Sequence, residues 1–159
     1  MDYFDITPQG MAWLAAEIER CKAKRPALIK RVAAAAALGD RSENAEYTES
    51  KRELRGLEGR MRFLDKEMRY GQVVKVADDG VATLGKRVTI RFSDEDGDED
   101  EYNLVGPAEA EITEENLTSV SPLGAAILNH KAGDTCTVHA PAGDYDVVLS
   151  AVTLMGDFN

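Results

Sequence analysis

Asp40 and Glu43 stand three positions apart in the stretch Gly39-Asp40-Arg41-Ser42-Glu43-Asn44-Ala45-Glu46-Tyr47. Two ionised carboxylates offer hard oxygen ligands to a divalent cation such as Mg²⁺, which takes few protein carboxylates and keeps several waters. A lone pair of this kind provides half a metal site, so its chemistry would be delivered into a site that another molecule completes. The same residues also suit a structural job. Asp40 at the N-cap and Glu43 at the third helical position would form a capping box, with Ser42 as an alternative cap. Carboxylates there gain about 0.3–1 kcal/mol each from the helix dipole. The two roles are compatible, and spacing alone leaves both open.

The elements that must position this turn are helical. Residues 7–38 and 43–69 are rich in Ala, Leu, Glu, Lys and Arg, which are good helix formers. In the second segment Tyr47, Ser50, Leu54, Leu57, Met61, Leu64 and Met68 alternate at spacings of three and four, the a/d seam of a coiled coil. Met11, Leu14, Ile18, Cys21, Arg25, Leu28, Val32 and Ala35 do the same in the first, with one flaw at Arg25. The short link between them allows only an antiparallel neighbour. At about 1.5 Å per residue the second helix runs on the order of 40 Å, so the acidic turn becomes the tip of a thin rod. Thr7-Pro8 matches an N-cap followed by proline in the first turn, and Pro26 is expected to bend the first helix. Gly56 and Gly59 weaken the second helix, for which a close helix–helix approach is one reason. The run Ala33–Ala37 keeps the rod slender towards its end.

Composition divides the chain near residue 70. Residues 1–70 hold 14 Lys/Arg and 12 Asp/Glu, whereas residues 71–159 hold 5 and 17. The acidic half is a poor nucleic-acid binder, because phosphates repel it. No apolar run approaches the roughly 18 residues needed to cross a bilayer, so no membrane partner is expected. The N-terminus lacks the pattern of a secretory signal, and Cys21 and Cys136 form no CxxC pair; both point to reduced thiols in a cytoplasmic protein. After Gly71 the pattern changes to short strands: 72–76, 87–92, 101–105, 136–139 and 146–152, separated by Gly-containing turns. Ser121-Pro122 opens one short helix, 123–129. The expectation is an α+β chain, a coiled-coil hairpin over 1–70 followed by a β-rich antiparallel domain over 71–159. The acidic run 94–101 fails as a calcium loop, since counting from Asp94 puts Gly97 at position 4 and Val105 at position 12. His130 and His139 are isolated surface residues on this reading, and Ser121 has no His/Asp partner at recognisable spacing.

The nine-residue tip resembles the signature of the bacterial Gre transcript-cleavage factors, GreA and GreB. A second match lies in Ser121-Pro122-Leu123-Gly124-Ala125-Ala126-Ile127-Leu128 with Lys131-Ala132-Gly133-Asp134 and Pro141-Ala142-Gly143, which resembles that family's C-terminal, FKBP-like domain. The resemblance implies a monomeric transcription elongation factor, not itself an enzyme. Its coiled coil would enter the RNA polymerase secondary channel while the second domain docks at the rim. By motif position Asp40 and Glu43 match the acidic pair that helps hold the second Mg²⁺ of the polymerase active site, where water cuts backtracked RNA. No cofactor of its own is implied. Asn44, Glu46 and Tyr47 match the rest of the tip and are given positioning roles. Arg41, Lys51 and Arg52 are candidates to contact the RNA 3′ segment, against the bland alternative of a solvated helix face. Arg41-Ser42 with Lys51-Arg52 leans towards GreB. The Ala33–Ala37 run lacks the basic residue that family members often carry just before the tip. Two rivals remain: a Gre-like inhibitor that occupies the channel without promoting cleavage, and an FKBP-type prolyl isomerase. Keeping both Asp40 and Glu43 argues against the first, and the few aromatic residues of 71–159 against the second.

Overall fold

The computed structural model describes residues 2–39, 44–92 and 97–158. It forms two compact units, one of Ala12–Tyr70 and one combining Met1–Met11 with Gly71–Asn159. The boundary at Tyr70 coincides with the change in charge, while the first eleven residues group with the strands rather than the helices.

The helical unit is made by α1 (Pro8–Ala36), whose first turn belongs to the other unit, and α2 (Ala45–Tyr70). Thr7 caps α1 as expected: its hydroxyl accepts from the Gly10 N–H at 2.9 Å, with Pro8 at the first helical position. Pro26 lies within the unbroken run of α1. The apolar spacing predicts the packed face well. Leu14, Cys21, Ala35, Ser50 and Leu64 are buried, the remaining seam positions are half-buried, and the flaw, Arg25, is exposed. Ion pairs along the edges fix the antiparallel register: Glu17 with Arg60 at 3.2 Å, Arg25 with Glu58 at 2.8 Å and Arg31 with Glu53 at 2.8 Å. A close helix–helix approach does not explain the glycines. A Cβ on Gly56 would meet nothing within 4 Å, and one on Gly59 only the Arg62 guanidinium of its own helix at 3.6 Å.

In the other unit β1 (Phe4–Ile6) pairs in parallel with β2 (Gly71–Val73). Five strands form the main sheet: β3 (Lys86–Phe92), β4 (Glu99–Val105), β5 (Asn116–Thr118), β6 (Thr135–Ala140) and β7 (Gly143–Leu154), in the order β5-β4-β3-β7-β6. The sheet is not wholly antiparallel, because β5 joins β4 in parallel. Helix α3 (Pro122–Ile127) is capped by Ser121, whose hydroxyl accepts from the Gly124 N–H at 3.1 Å; this is the work that Ser121 does. Val88, Ile90, Leu104, Ile127, Val138, Val147 and Leu149 are the centre of a contiguous core. Alternation along β3 sends Val88 and Ile90 into it and leaves Arg87, Thr89 and Arg91 on the opposite face.

Two charged side chains are buried here and both are fully engaged. The Glu109 carboxylate accepts from the Thr7 N–H at 3.1 Å, the Gly106 N–H at 3.0 Å and the Thr7 hydroxyl. A Cβ on Gly10 would collide with that carboxylate, so glycine there lets the start of α1 close over it. The Lys86 ammonium donates to Asp79 at 2.7 Å and to the Val81 carbonyl at 2.9 Å. His130, half-buried, and His139, exposed, were expected to be isolated but face Asp134 and Asp144, each at 3.1 Å.

Candidate functional site

Asp40, Arg41, Ser42 and Glu43 lie outside the described residues, as do Ser93–Asp96 of the acidic run. The structure describes the two helix ends that flank the turn. At the end of α1 the Ala37 N–H reaches the Ala33 carbonyl at 3.2 Å and the Leu38 N–H the Ala35 carbonyl at 3.2 Å, a tightening typical of a last helical turn. Gly39 follows at φ +117°, a conformation open to glycine and strained for other residues. Leu38 is 78% exposed, so the helix presents an apolar residue directly before the acidic turn.

Asn44 begins the second helix. Its carbonyl accepts from the Thr48 N–H at 3.2 Å, and its side-chain Oδ1 accepts from the Tyr47 N–H at 3.1 Å. That makes Asn44 the N-cap and Tyr47 the third helical position. The capping box read from Asp40 and Glu43, and the alternative cap at Ser42, are therefore corrected: α2 takes its cap from Asn44. Local spacing offers Asp40 and Ser42 as caps, with only a positioning role for Asn44, and so misses the cap itself. The Asn44 amide also donates to the Ala35 carbonyl at 2.7 Å, nine residues back on α1.

The neighbouring candidates are committed to partners. Glu46, in the first turn of α2 where the helix dipole favours an anion, receives the Arg31 guanidinium at 3.0 Å. Arg31 also holds Glu53, and its hydrogen bonds donated first to Glu53 and then to Glu46 raise its pKa above the usual arginine value. Sequence reasoning missed Arg31; the signal was a base opposite two acids in an antiparallel register. The Lys51 ammonium sits over the Tyr47 ring, 5.3 Å from its centroid. Arg52 pairs with Glu49 at 3.2 Å and is 73% exposed on its side chain, which leaves it the most accessible base of α2 close to the turn. No lysine or arginine lies between Arg31 and Arg41.

Among the described residues no group of three His, Cys, Asp or Glu side chains could hold a metal ion. With its cap supplied by Asn44, α2 needs neither Asp40 nor Glu43 for that purpose. Concavities lie elsewhere among the described residues. One of about 500 Å³ is lined by Lys22, Arg25, Pro26, Ile29 and Met61, and one of about 450 Å³ by Arg87, Thr89, Glu115 and the acidic residues of β4. The Phe92 and Tyr145 rings stack on each other at 6.4 Å. No helix among the described residues is long and apolar enough to cross a membrane.

Comparison with known proteins agrees with the sequence resemblance. Residues 4–73 match the family model described as "Transcription elongation factor, N-terminal", and residues 77–154 that described as "Transcription elongation factor, GreA/GreB, C-term". Transcription elongation factor GreA 1 of Lactiplantibacillus plantarum is 47% identical over 147 residues, covering 92% of this chain and 94% of the relative. Transcription elongation factor GreA of Listeria welshimeri is 36% identical over 153 residues, covering 94% and 95%. Both carry the GreA name, against the lean towards GreB. The solved structure of the transcription factor Gfh1 aligns over 96% of this chain and 99% of its own, at 22% identity and a TM-score of 0.47.

Proposed function

The chain belongs to the GreA/GreB family of transcription elongation factors, and from that membership we propose that it rescues backtracked RNA polymerase by stimulating the polymerase's own RNA cleavage. The helical hairpin enters the secondary channel, and the β-rich unit docks at the rim. Asp40 and Glu43 contribute carboxylate oxygens to the second Mg²⁺ of the polymerase active site. A magnesium ion held by those carboxylates would supply water activation and charge neutralisation at the phosphate. The chain's own residues bind, carry and orient. The protein acts as a monomer in the cytoplasm, with no cofactor of its own and no complete active site. Arg41, Lys51 and Arg52 are the bases to meet the extruded RNA 3′ segment, and the Arg52 side chain is 73% exposed on α2.

One observation carries this reading. Asn44 supplies the N-cap of α2, so helix capping no longer accounts for an Asp/Glu pair in the preceding turn. The deciding experiment uses a stalled, backtracked elongation complex with Mg²⁺. The protein should shorten the RNA, and Asp40→Ala should keep polymerase affinity while lowering stimulated cleavage at least tenfold, about 1.4 kcal/mol of barrier. Equal cleavage by Asp40→Ala would remove the metal role. Inhibition without shortening would identify a channel blocker instead.

A further inference from the structure

We propose that Phe63, with Arg60 and with Arg20 over Trp13, forms a docking patch on the helical unit for an acidic surface of the polymerase that carries apolar side chains. The inference rests on the polymerase partnership proposed above, and it names a face of the hairpin that makes the contact. Phe63 is 56% exposed on α2. It is no stray apolar residue, because a chain of neighbours ties it to a second aromatic ring. Arg60, three positions earlier and so adjacent on the same side of α2, donates to Glu17 of α1 at 3.2 Å. Glu17 also receives Arg20, whose guanidinium lies 5.8 Å from the Trp13 ring centroid. The antiparallel register set by Glu17 and Arg60 puts Phe63 level with Leu14, beside Trp13.

Charge selects the occupant. Lys24 follows Arg20 by one turn and Glu67 follows Phe63 by one turn, so this side carries the bases Arg20, Lys24 and Arg60 against the acids Glu17 and Glu67. Two guanidiniums share the Glu17 carboxylate, which leaves positive charge for a partner's acid to meet. The groove at Lys22, Arg25, Pro26, Ile29 and Met61 lacks this imbalance, since Arg25 pairs with Glu58 and Lys22 with Glu19. Exposed aromatic and arginine side chains together are the composition of an interface centre. A nucleic acid is the poorer occupant, because Glu17 and Glu67 would repel its phosphates. The patch also accounts for two residues that the hairpin leaves unexplained. Gly56 and Gly59 precede Phe63 on the same side of α2, and a Cβ at Gly56 would meet nothing within 4 Å. Packing inside the hairpin therefore does not call for a residue that weakens a helix, whereas bare backbone there lets a partner come close to the Phe63 ring.

Wild type, Phe63→Ser, Arg60→Gln and Gly56→Ala are titrated against backtracked complexes, reading the factor concentration for half-maximal cleavage and the maximal rate. The urea transition of each variant, followed at Trp13, reports whether its hairpin is folded. Phe63→Ser should raise the half-maximal concentration about tenfold and Arg60→Gln about threefold, as loss of a central interface contact does. Both should still reach the wild-type maximal rate. Gly56→Ala should unfold at higher urea, because alanine is the better helix former, and yet need more factor for half-maximal cleavage. A merely structural glycine would not give that combination. Unchanged half-maximal concentrations in Phe63→Ser and Gly56→Ala, with wild type active, would overturn the patch and leave the proposed function standing. A lower maximal rate at an unchanged half-maximal concentration would also overturn it, by placing Phe63 in the chemical step. Sedimentation of wild type as a dimer and of Phe63→Ser as a monomer would make a second copy the occupant instead. Binding of a single-stranded RNA that Phe63→Ser loses would make it nucleic acid. Wild type that neither binds the polymerase nor shortens the RNA would sink the proposed function and the patch together.

Discussion

Between Ala12 and Tyr70 the buried apolar side chains are Leu14, Cys21, Ala35 and Leu64, spread along two long helices, whereas the β-rich unit gathers Val88, Ile90, Leu104, Ile127, Val138, Val147 and Leu149 into one cluster. The charged residues divide the same way. In the helical unit Arg25, Arg31 and Arg60 bridge the helices from the solvent side, where water and salt screen an ion pair. In the β-rich unit Glu109 and Lys86 are buried and completely hydrogen-bonded. The contrast separates two jobs. One unit is held by a thin seam and can give way locally, while the other stores most of the burial that keeps the chain folded.

The sharpest break in that contrast comes at Glu109. Glu109→Ala leaves the Thr7 N–H, the Thr7 hydroxyl and the Gly106 N–H without their acceptor. The expected loss is about 3 kcal/mol, read by urea unfolding and by faster amide exchange at Val88 and Ile90. Glu109 also gives the unit a pH dependence. Burial raises its pKa above the ordinary 4.5, and the hydrogen bonds from Thr7 and Gly106 oppose that only in part. A carboxyl whose folded pKa is raised contributes stability below its unfolded value and loses it as pH rises through the folded one. Glu109→Gln should remove that slope, so the stability of wild type relative to the variant falls as pH climbs above 4.5. Glu17 in the hairpin runs the opposite way. Burial works against its charge, yet hydrogen bonds from Arg20 and Arg60 prevail and lower its pKa, so its contribution is present above 4.5 and lost in acid. Equal pH slopes for wild type and Glu109→Gln would refute the assignment.

A middle-sized effect is expected at Leu64, buried at 2% exposure in the seam. Leu64→Ala should cost about 2–3 kcal/mol, the lower part of the range for a core leucine because the helices can close on the gap. Trp13, the one tryptophan and a residue of the helical unit, reports on it. Its fluorescence transition should move to lower urea while exchange at Val88 and Ile90 stays at the wild-type rate. Matching shifts in both signals would mean that the units unfold as one, and would dissolve the contrast.

What could be seen beforehand follows from range. The seam from Tyr47 to Met68 rests on a local repeat of three and four, and each of its positions is at least half-buried. The Thr7 cap rests on neighbours in sequence and is present. Contacts over long separations were invisible: Thr7 meets Glu109 across 102 residues, and no pattern near either predicts it. The three-residue strands β1 and β5 are too short to show alternation, and the parallel edge depends on where the chain returns. At the site the residue types were legible but the division of labour was not. Asp40 and Ser42 read as the caps, whereas Asn44 caps α2 and also donates to the Ala35 carbonyl, a contact that local spacing does not show.

Arg31 offers the smallest effect and the cleanest control. It joins Glu46 at 3.0 Å and Glu53 at 2.8 Å, yet all three side chains are more than 40% exposed. Water and salt screen such a network, and arranging long side chains costs entropy. Arg31→Ala should lower the Trp13 transition by no more than about 2 °C in low salt, with the difference fading near 0.5 M salt. Stimulated cleavage by Arg31→Ala should stay within about twofold of wild type, since the variant leaves both side-chain hydrogen bonds of Asn44, with the Tyr47 N–H and the Ala35 carbonyl, in place. Both Arg31 and Asn44 link α1 to the first turn of α2, one by charge at the solvent edge and one by hydrogen bonds at a buried carbonyl. A tenfold loss in Arg31→Ala would show that the charge network serves cleavage as well as stability.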